Sequence, residues 1–406
     1  MGHDSTFRTA PLPFMNSPSL PYTTPALTSR LPLVGTTVFT RMSSLAAQHG
    51  AVNLGQGFPD FDCDPALVDL VSDAMRAGHN QYPMMTGAAP LREAIAAKIA
   101  SLYGHGYDAG TEITVTAGAT QALTTAILCC VHPGDEVIVI EPAYDSYLPA
   151  IALAGGVPVL VAMQVGEQGY SVPWDKLAAA VSNKTRLIII NTPHNPTGTI
   201  LRPADVAALA DIVRGTQILI LSDEVYEHMV YDGVPHASLA RNPELAARSF
   251  IVSSFGKTYH VTGWKIGYVA APASMTAEFR KVHQYNVFSV NTPMQHGLAG
   301  YMAEPQPYLD LPAFYQRKRD LFRDGLAGSR FTLLPADGTY FQCVRYDAIS
   351  QETEAQFAEW LTTQIKVAAI PVSAFYTQGK ESGIVRFCFA KKDETLRLAL
   401  ERLRSI

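Results

Sequence analysis

Arg186-Leu-Ile-Ile-Ile-Asn-Thr-Pro-His-Asn-Pro-Thr-Gly198 joins two kinds of chain without a break. Its first half is a near-continuous apolar run, as expected of a strand covered on both faces. Its second half is polar and turn-forming. The same change recurs elsewhere. Ile113-Thr-Val-Thr116 runs into Ala117-Gly-Ala-Thr120, and Gln217-Ile-Leu-Ile-Leu221 into Ser222-Asp-Glu-Val-Tyr226. Phe250-Ile-Val252 runs into Ser253-Ser-Phe-Gly-Lys257. Glu136-Val-Ile-Val-Ile140 and Ile266-Gly-Tyr-Val-Ala-Ala271 read as further strands. A helical stretch such as Ala119 to Val131 separates neighbours. Alternating strands and helices predict an α/β fold with a mostly parallel sheet. Ligands of such sheets bind beyond the carboxyl ends of the strands. Polar ends on one rim therefore predict one site.

The flanking chain is patterned differently. Asp64 and Pro65 form an N-cap and first-turn proline, after which Leu67, Leu70, Val71, Ala74 and Met75 line one helix face. A second helix runs from about Pro90 to Tyr103, with Gly104 suited to its C-terminal cap. From about residue 300 there follow a polar helix near Tyr315–Ala327, short strands near Tyr340–Arg345 and Ile384–Phe389, and a helix over Asp393–Leu403. The expected division is an extended Pro-, Ser- and Thr-rich arm over 1–30, a small α+β domain from 31–48 and 300–406, and a large α/β domain over 49–299.

Composition narrows the function. With 406 residues, 48% hydrophobic, 17% charged and a net charge of -5, the chain is an ordinary globular protein without the basic surface that nucleic acid needs. Five cysteines without a CxxC pair indicate neither a disulfide framework nor a zinc site. The weakly polar run Leu148–Met163 is broken by Pro149, Gly155, Gly156 and Pro158, and falls short of the roughly 20 apolar residues of a membrane helix. The N-terminus lacks the basic-then-apolar pattern of a secretory signal, so the cytoplasm is expected.

The strand-end residues point to a ligand. Gly118 and the helix beginning near Ala119 offer backbone N–H groups to a phosphate. Thr120, Ser253 and Ser254 add hydroxyls, and Lys265 adds a cation. Neither a P-loop nor a G-x-G-x-x-G is present. An aspartate, a tyrosine, an asparagine and a second lysine remain around the same rim. Pyridoxal phosphate uses all of them. A lysine amine bonds to its aldehyde, a carboxylate pairs with its ring nitrogen, and hydroxyl and amide donors hold its ring oxygen.

At these residues the sequence resembles the class I pyridoxal-phosphate aminotransferases of fold type I. The resemblance extends from about Leu31 to the C-terminus. It is carried by Asn195-Pro-Thr-Gly198, Asp223-Glu-Val-Tyr226, Ser254-Phe-Gly-Lys257 and Thr262-Gly-Trp-Lys-Ile-Gly267 in the family's order and spacing. Asn53-Leu-Gly-Gln-Gly-Phe-Pro-Asp-Phe61, Glu141-Pro-Ala-Tyr-Asp-Ser-Tyr147 and His283-Gln-Tyr285 are similar to the kynurenine and methionine aminotransferase branch. The resemblance implies a seven-stranded, mostly parallel sheet between helices, and a homodimer with shared sites. It makes Lys257 the lysine that bonds the aldehyde and then moves a proton at the substrate. Asp223 would pair with the ring nitrogen, Asn195 and Tyr226 would hold the ring oxygen, and Tyr144 would stack on the ring. Gly118, Ala119, Thr120, Ser254 and Lys265 would hold the phosphate. Lys265 stands where many members carry arginine, so a fork is replaced by a point charge. Tyr82 would reach the phosphate in the neighbouring subunit. Arg386 would grip the substrate carboxylate, with Gly57 offering its backbone.

Dicarboxylate-specific members supply a second arginine from the partner subunit. The comparable segment here, Val282–Ala303, has neither lysine nor arginine. Large neutral amino acids are therefore expected, methionine first, then aromatic ones, histidine, glutamine or kynurenine, with Phe58 as part of the side-chain wall. Two other activities remain open on this scaffold. One is a cysteine-S-conjugate β-lyase. The other is a cofactor-binding transcription regulator, for which the residues ahead of Asn53 are too few and too proline-rich. His194, His228, His260 and His283 show no ligand spacing with a carboxylate and are read as structural or supporting.

Overall fold

A computed structural model describes residues 26–406 apart from 33 and 168, so the arm expected over 1–30 lies almost wholly outside the described residues. Helix α1, Val38–His49, is capped by Thr37 and closed by Gly50 in the left-handed conformation. Helix α2, Pro65–Arg76, starts where Asp64 accepts the Ala66 N–H at 2.9 Å. Leu67, Val71 and Ala74 are its buried stripe. Met75, expected on that stripe, is instead exposed, because one residue past Ala74 turns it about 100° around the axis. Helix α3, Ala89–Tyr103, ends at Gly104 as its sequence predicts.

The main sheet contains β1 (Ile113–Thr116), β2 (Glu136–Glu141), β3 (Val157–Ala162), β4 (Thr185–Asn191), β5 (Leu219–Asp223), β6 (Ser249–Ser254) and β7 (Gly267–Ala270). Its spatial order is β1-β7-β6-β5-β4-β2-β3. β7 runs antiparallel to both neighbours, and the other neighbouring pairs are parallel. Alternate residues of one strand enter different cores. Ile188 and Ile190 pack into one, Leu187 and Ile189 into the other. Burial on both faces explains why β4 has no polar alternation. β5 begins two residues later than expected from Gln217. Arg248 holds the Thr216 and Ile218 carbonyls at 3.0 and 3.1 Å, and the Thr216 hydroxyl accepts the Ile218 N–H, so this stretch is a turn.

The C-terminal part forms a second, antiparallel sheet from β8 (Thr332–Leu333), β9 (Phe341–Arg345), β10 (Ile370–Pro371) and β11 (Ile384–Cys388), in the order β8-β9-β11-β10. Val52–Asn53 pairs in parallel with Val367–Ala368, which ties the segment after α1 to this sheet region. Among the described residues, no helix is long and apolar enough to cross a membrane.

Candidate active site

A cleft of about 330 Å³ opens where the carboxyl ends of β4, β5 and β6 meet the start of α4, Gly118–Cys130, and the second sheet. Its lining brings together Gly57, Ala119, Thr120, Tyr144, Asn195, Asp223, Tyr226, Ser254, Lys257, Lys265 and Arg386. These come from segments spread over the whole chain.

Lys257 sits in the short helix Phe255–Thr258, immediately after β6, where the Ser254 hydroxyl accepts the Gly256 N–H. Its Nζ donates to the Gly57 carbonyl at 2.9 Å and to the Tyr340 hydroxyl at 2.7 Å. Burial, which disfavours the ammonium, pulls the amine down to about 8, with Arg386 and Lys265 adding to the effect. The neutral, nucleophilic amine is thereby a larger fraction near physiological pH than in an ordinary lysine, although the ammonium still predominates.

Asp223 ends β5 and is buried. It accepts the Tyr147 hydroxyl at 2.7 Å, and its own backbone carbonyl accepts from Asn191 at 2.9 Å. Desolvation pushes the carboxyl up to about 6, while the Tyr147 hydrogen bond opposes that rise. A buried carboxylate in this state is suited to a cationic ring nitrogen. Tyr144 lies across the cleft with its hydroxyl 3.2 Å from that of Thr120.

The approach of Lys265 to the start of α4 depends on a missing side chain. Gly118 has φ +76°, and a Cβ there would lie 3.2 Å from Lys265 Cε and 3.3 Å from its Nζ. Glycine thus lets the ammonium approach the amino terminus of α4, where the backbone N–H groups and the dipole already favour an anion. Gly118 itself shapes the seat without lining the cleft. Lys265 adopts φ 56°, an uncommon left-handed conformation for a lysine. This cradle and the buried carboxylate fit a phosphate-bearing pyridine aldehyde, with Lys257 on the lining of the same cleft.

Arg386 lies on β11 and is 1% exposed. It donates to Asn195 Oδ1 at 2.6 Å and to the Gly55 carbonyl at 3.1 Å, while its Nε has no partner. The guanidinium rests 3.8 Å from the ring centre of Phe341 and 4.9 Å from that of Phe375. No carboxylate pairs with it among the described residues. A buried cation without a counter-ion is costly, and an anionic ligand relieves that cost.

Two expected residues are not brought to this cleft. Phe58 is half-exposed and is not on the cleft lining; its ring centre lies 5.1 Å from Lys391 Nζ, which donates to the Phe58 carbonyl. Tyr82 is 79% exposed and meets Phe288 edge-on at 5.1 Å. Within one chain it is not on the cleft lining.

Other residues emerge from the structure alone. Tyr340 contacts Lys257, Tyr147 contacts Asp223, and Phe39 and Phe341 line the cleft near Arg386. Tyr147 was visible within the Glu141–Tyr147 motif, but nothing in the sequence marked it as a partner of Asp223. Among the histidines, buried His194 meets the Thr197 hydroxyl at 2.8 Å and His283 meets the Gln121 amide at 3.1 Å, both supporting roles.

Comparison with known proteins agrees with this geometry. Residues 50–403 match the family described as aminotransferase class I and II. Methionine aminotransferase of Escherichia coli is 51% identical over 96% of this chain and 100% of its own length. Human kynurenine–oxoglutarate transaminase 1 is 34% identical over 89% of this chain and 93% of its own. A crystal structure of an E. coli protein with a methionine aminotransferase function superposes with a TM-score of 0.93 at 51% identity, covering 94% of this chain and 100% of that one. The fold is accordingly that of the fold type I aminotransferases, and the chain belongs to the class I and II aminotransferase family.

Proposed function

We propose that the protein is a pyridoxal-phosphate-dependent aminotransferase that takes the amino group from a large neutral amino acid, methionine foremost, and passes it to a 2-oxo acid by a ping-pong route. The observation that carries this reading is the meeting in one cleft of a depressed lysine, Lys257, and a buried guanidinium without a carboxylate partner, Arg386. The preference for methionine is supported by the similarity to methionine aminotransferase and by the lack of lysine and arginine in Val282–Ala303.

When bound, the cofactor supplies an aldehyde that carries the amino group and a ring that takes up electrons. The protein's residues do the rest. Lys257 would hold the cofactor through its aldehyde, with loss of water, and its free amine would be the base placed to take the proton from the substrate Cα. Asp223 holds the ring nitrogen in its protonated form. Asn195 and Tyr226 would orient the ring oxygen, Tyr144 would cover the ring face, and Gly118, Ala119, Thr120, Ser254 and Lys265 would hold the phosphate. Arg386 grips the substrate α-carboxylate through two parallel N–H groups, with the Gly57 backbone beside it. We further infer a homodimer in which Tyr82 completes the partner's phosphate seat, a cytoplasmic location, and a small domain of 31–48 and 300–406 against a large one of 49–299.

The test is an absorbance titration of the cofactor-loaded protein with single amino acids and no acceptor. Methionine, phenylalanine, kynurenine, glutamine and aspartate form the panel. Conversion of the aldehyde form to the amine form by methionine and the aromatic donors, but not by aspartate, is the expected result. A chromophore that none of them alters sinks the proposal.

A further inference from the structure

Behind the cleft lies a buried ion pair that the proposed chemistry does not use. Lys98 on α3 and Glu227 are 5% and 4% exposed, with Nζ 2.6 Å from Oε1. The Ser253 hydroxyl donates to the same Oε1 at 2.5 Å, and the Tyr268 hydroxyl at 3.0 Å. The Tyr103 hydroxyl donates to Oε2. One carboxylate thus ties together α3, the loop after β5, β6 and β7.

The position of these partners in the sequence is informative. Glu227 directly follows Tyr226, and Ser253 directly precedes Ser254; Tyr226 and Ser254 line the cleft. Neighbouring residues along an extended chain point to opposite sides. On β6 this sends Ser253 toward the ion pair and Ser254 toward the cleft, and the turn over 225–228 likewise divides Tyr226, on the cleft lining, from Glu227, in the pair. Tyr268 and Ser253 are direct partners across β6 and β7, so the next pair along the ladder is Ser254 and Gly267. A Cβ on Gly267 would lie 3.1 Å from the Ala119 nitrogen, so this rung abuts the phosphate seat.

Stability alone does not account for such a pair. Desolvating two charges offsets much of their attraction, and apolar replacements of similar volume are commonly neutral or stabilising. A fixed geometry is what apolar side chains do not supply. We propose that the Lys98–Glu227 pair is a positioning device that holds the segments carrying Asp223, Tyr226, Ser254 and Lys257 in the register that the cofactor requires. The proposal rests on the reading of this cleft as a pyridoxal-phosphate site.

The test uses Lys98→Met/Glu227→Met, which conserves volume and leaves no unpaired charge. Ser253→Ala, which removes a single link, carries the test if the double variant does not fold. Cofactor-free protein is titrated with pyridoxal 5′-phosphate, and amide hydrogen exchange is followed over 223–228 and 252–258, with thermal unfolding as a control. The expected result for the double variant is a cofactor Kd raised about tenfold or more and faster exchange in both segments, in protein that still unfolds cooperatively at a melting temperature lowered by the loss of the acceptor of the Ser253, Tyr268 and Tyr103 hydroxyls. Ser253→Ala is expected to raise the Kd severalfold. An unchanged Kd and exchange pattern in the folded double variant, or in Ser253→Ala in its place, overturns the proposal. Wild-type protein that fails to bind pyridoxal 5′-phosphate overturns this and the functional reading together, whereas equally tight binding by wild type and variant overturns the positioning role alone.

Discussion

The Nζ of Lys257 lies 2.7 Å from the hydroxyl oxygen of Tyr340, a residue that arrives from the chain just ahead of β9. The same hydroxyl donates to the Gly57 carbonyl, which also accepts from Lys257. Lysine, tyrosine and backbone form a closed triangle at the cleft floor. Tyr340→Phe breaks two of its sides. A net loss of about 1 kcal/mol for each of the two hydrogen bonds leads us to expect kcat/KM reduced about thirtyfold with the cofactor still bound. Unaltered kinetics in a folded variant would show that the hydroxyl does not orient the lysine.

Lys257→Ala is expected to keep its fold and to bind cofactor without a covalent bond. Turnover should fall by at least 10²–10⁴-fold, the range for a positioned acid–base group. Single-turnover spectra with methionine check this. Turnover equal to wild type would remove Lys257 from the chemistry.

Arg386→Lys keeps a charge but loses the planar fork. With buried charged hydrogen bonds worth about 2–5 kcal/mol when truncated, Arg386→Ala should raise KM for methionine by on the order of 10²-fold or more. The lysine variant should fall in between. Cofactor affinity should change little in either. If both variants bind methionine like wild type, another group holds the carboxylate.

The Asp223 carboxyl is pushed up to about 6 by desolvation. Cofactor binding through a cationic ring nitrogen favours the carboxylate, so affinity should be full above that value and fall as pH drops through about 6. Tyr147 donates to this carboxylate. Tyr147→Phe removes a partner of the charged form, so the midpoint should move upward by about one unit. Titrations of cofactor-free protein across about pH 5–8, from about one unit below the wild-type midpoint to about one unit above that of the variant, measure both. A midpoint that stays in place would separate Tyr147 from Asp223.

Gly118→Ala adds a Cβ at φ +76° and drives it toward Lys265 Cε. The backbone strain costs about 1 kcal/mol, and the displaced ammonium weakens the phosphate seat. We expect cofactor Kd to rise about tenfold, and inorganic phosphate to compete less well against the cofactor. Equal affinities in variant and wild type would place the phosphate elsewhere.

The strand-end motifs were legible because their signals are local. An apolar run ending in Asp-Glu-Val-Tyr or Ser-Phe-Gly-Lys states both a strand and what it presents at its carboxyl end. Asp223, Tyr226, Ser254 and Lys257 accordingly line one cleft. The place of Phe58 was less legible for the opposite reason. It stands in a motif segment beside Gly57, yet which of two neighbours faces the cleft depends on the turn between them, and Lys391 claims the Phe58 ring.

The sequence by itself determined the alternating α/β order, the near-continuous apolar strands and the chemical identities gathered at their ends. These follow from periodicity and from residue type. Only the tertiary structure decided that Tyr340 meets Lys257, that Tyr147 meets Asp223, and that Lys98 and Glu227 pair behind the cleft. Each of these contacts joins residues far apart in the chain, and sheet order together with the closeness of the second sheet sets their distances. No local pattern encodes such a distance, because a side chain's partner across a fold is chosen by packing and by the need to satisfy buried polar groups.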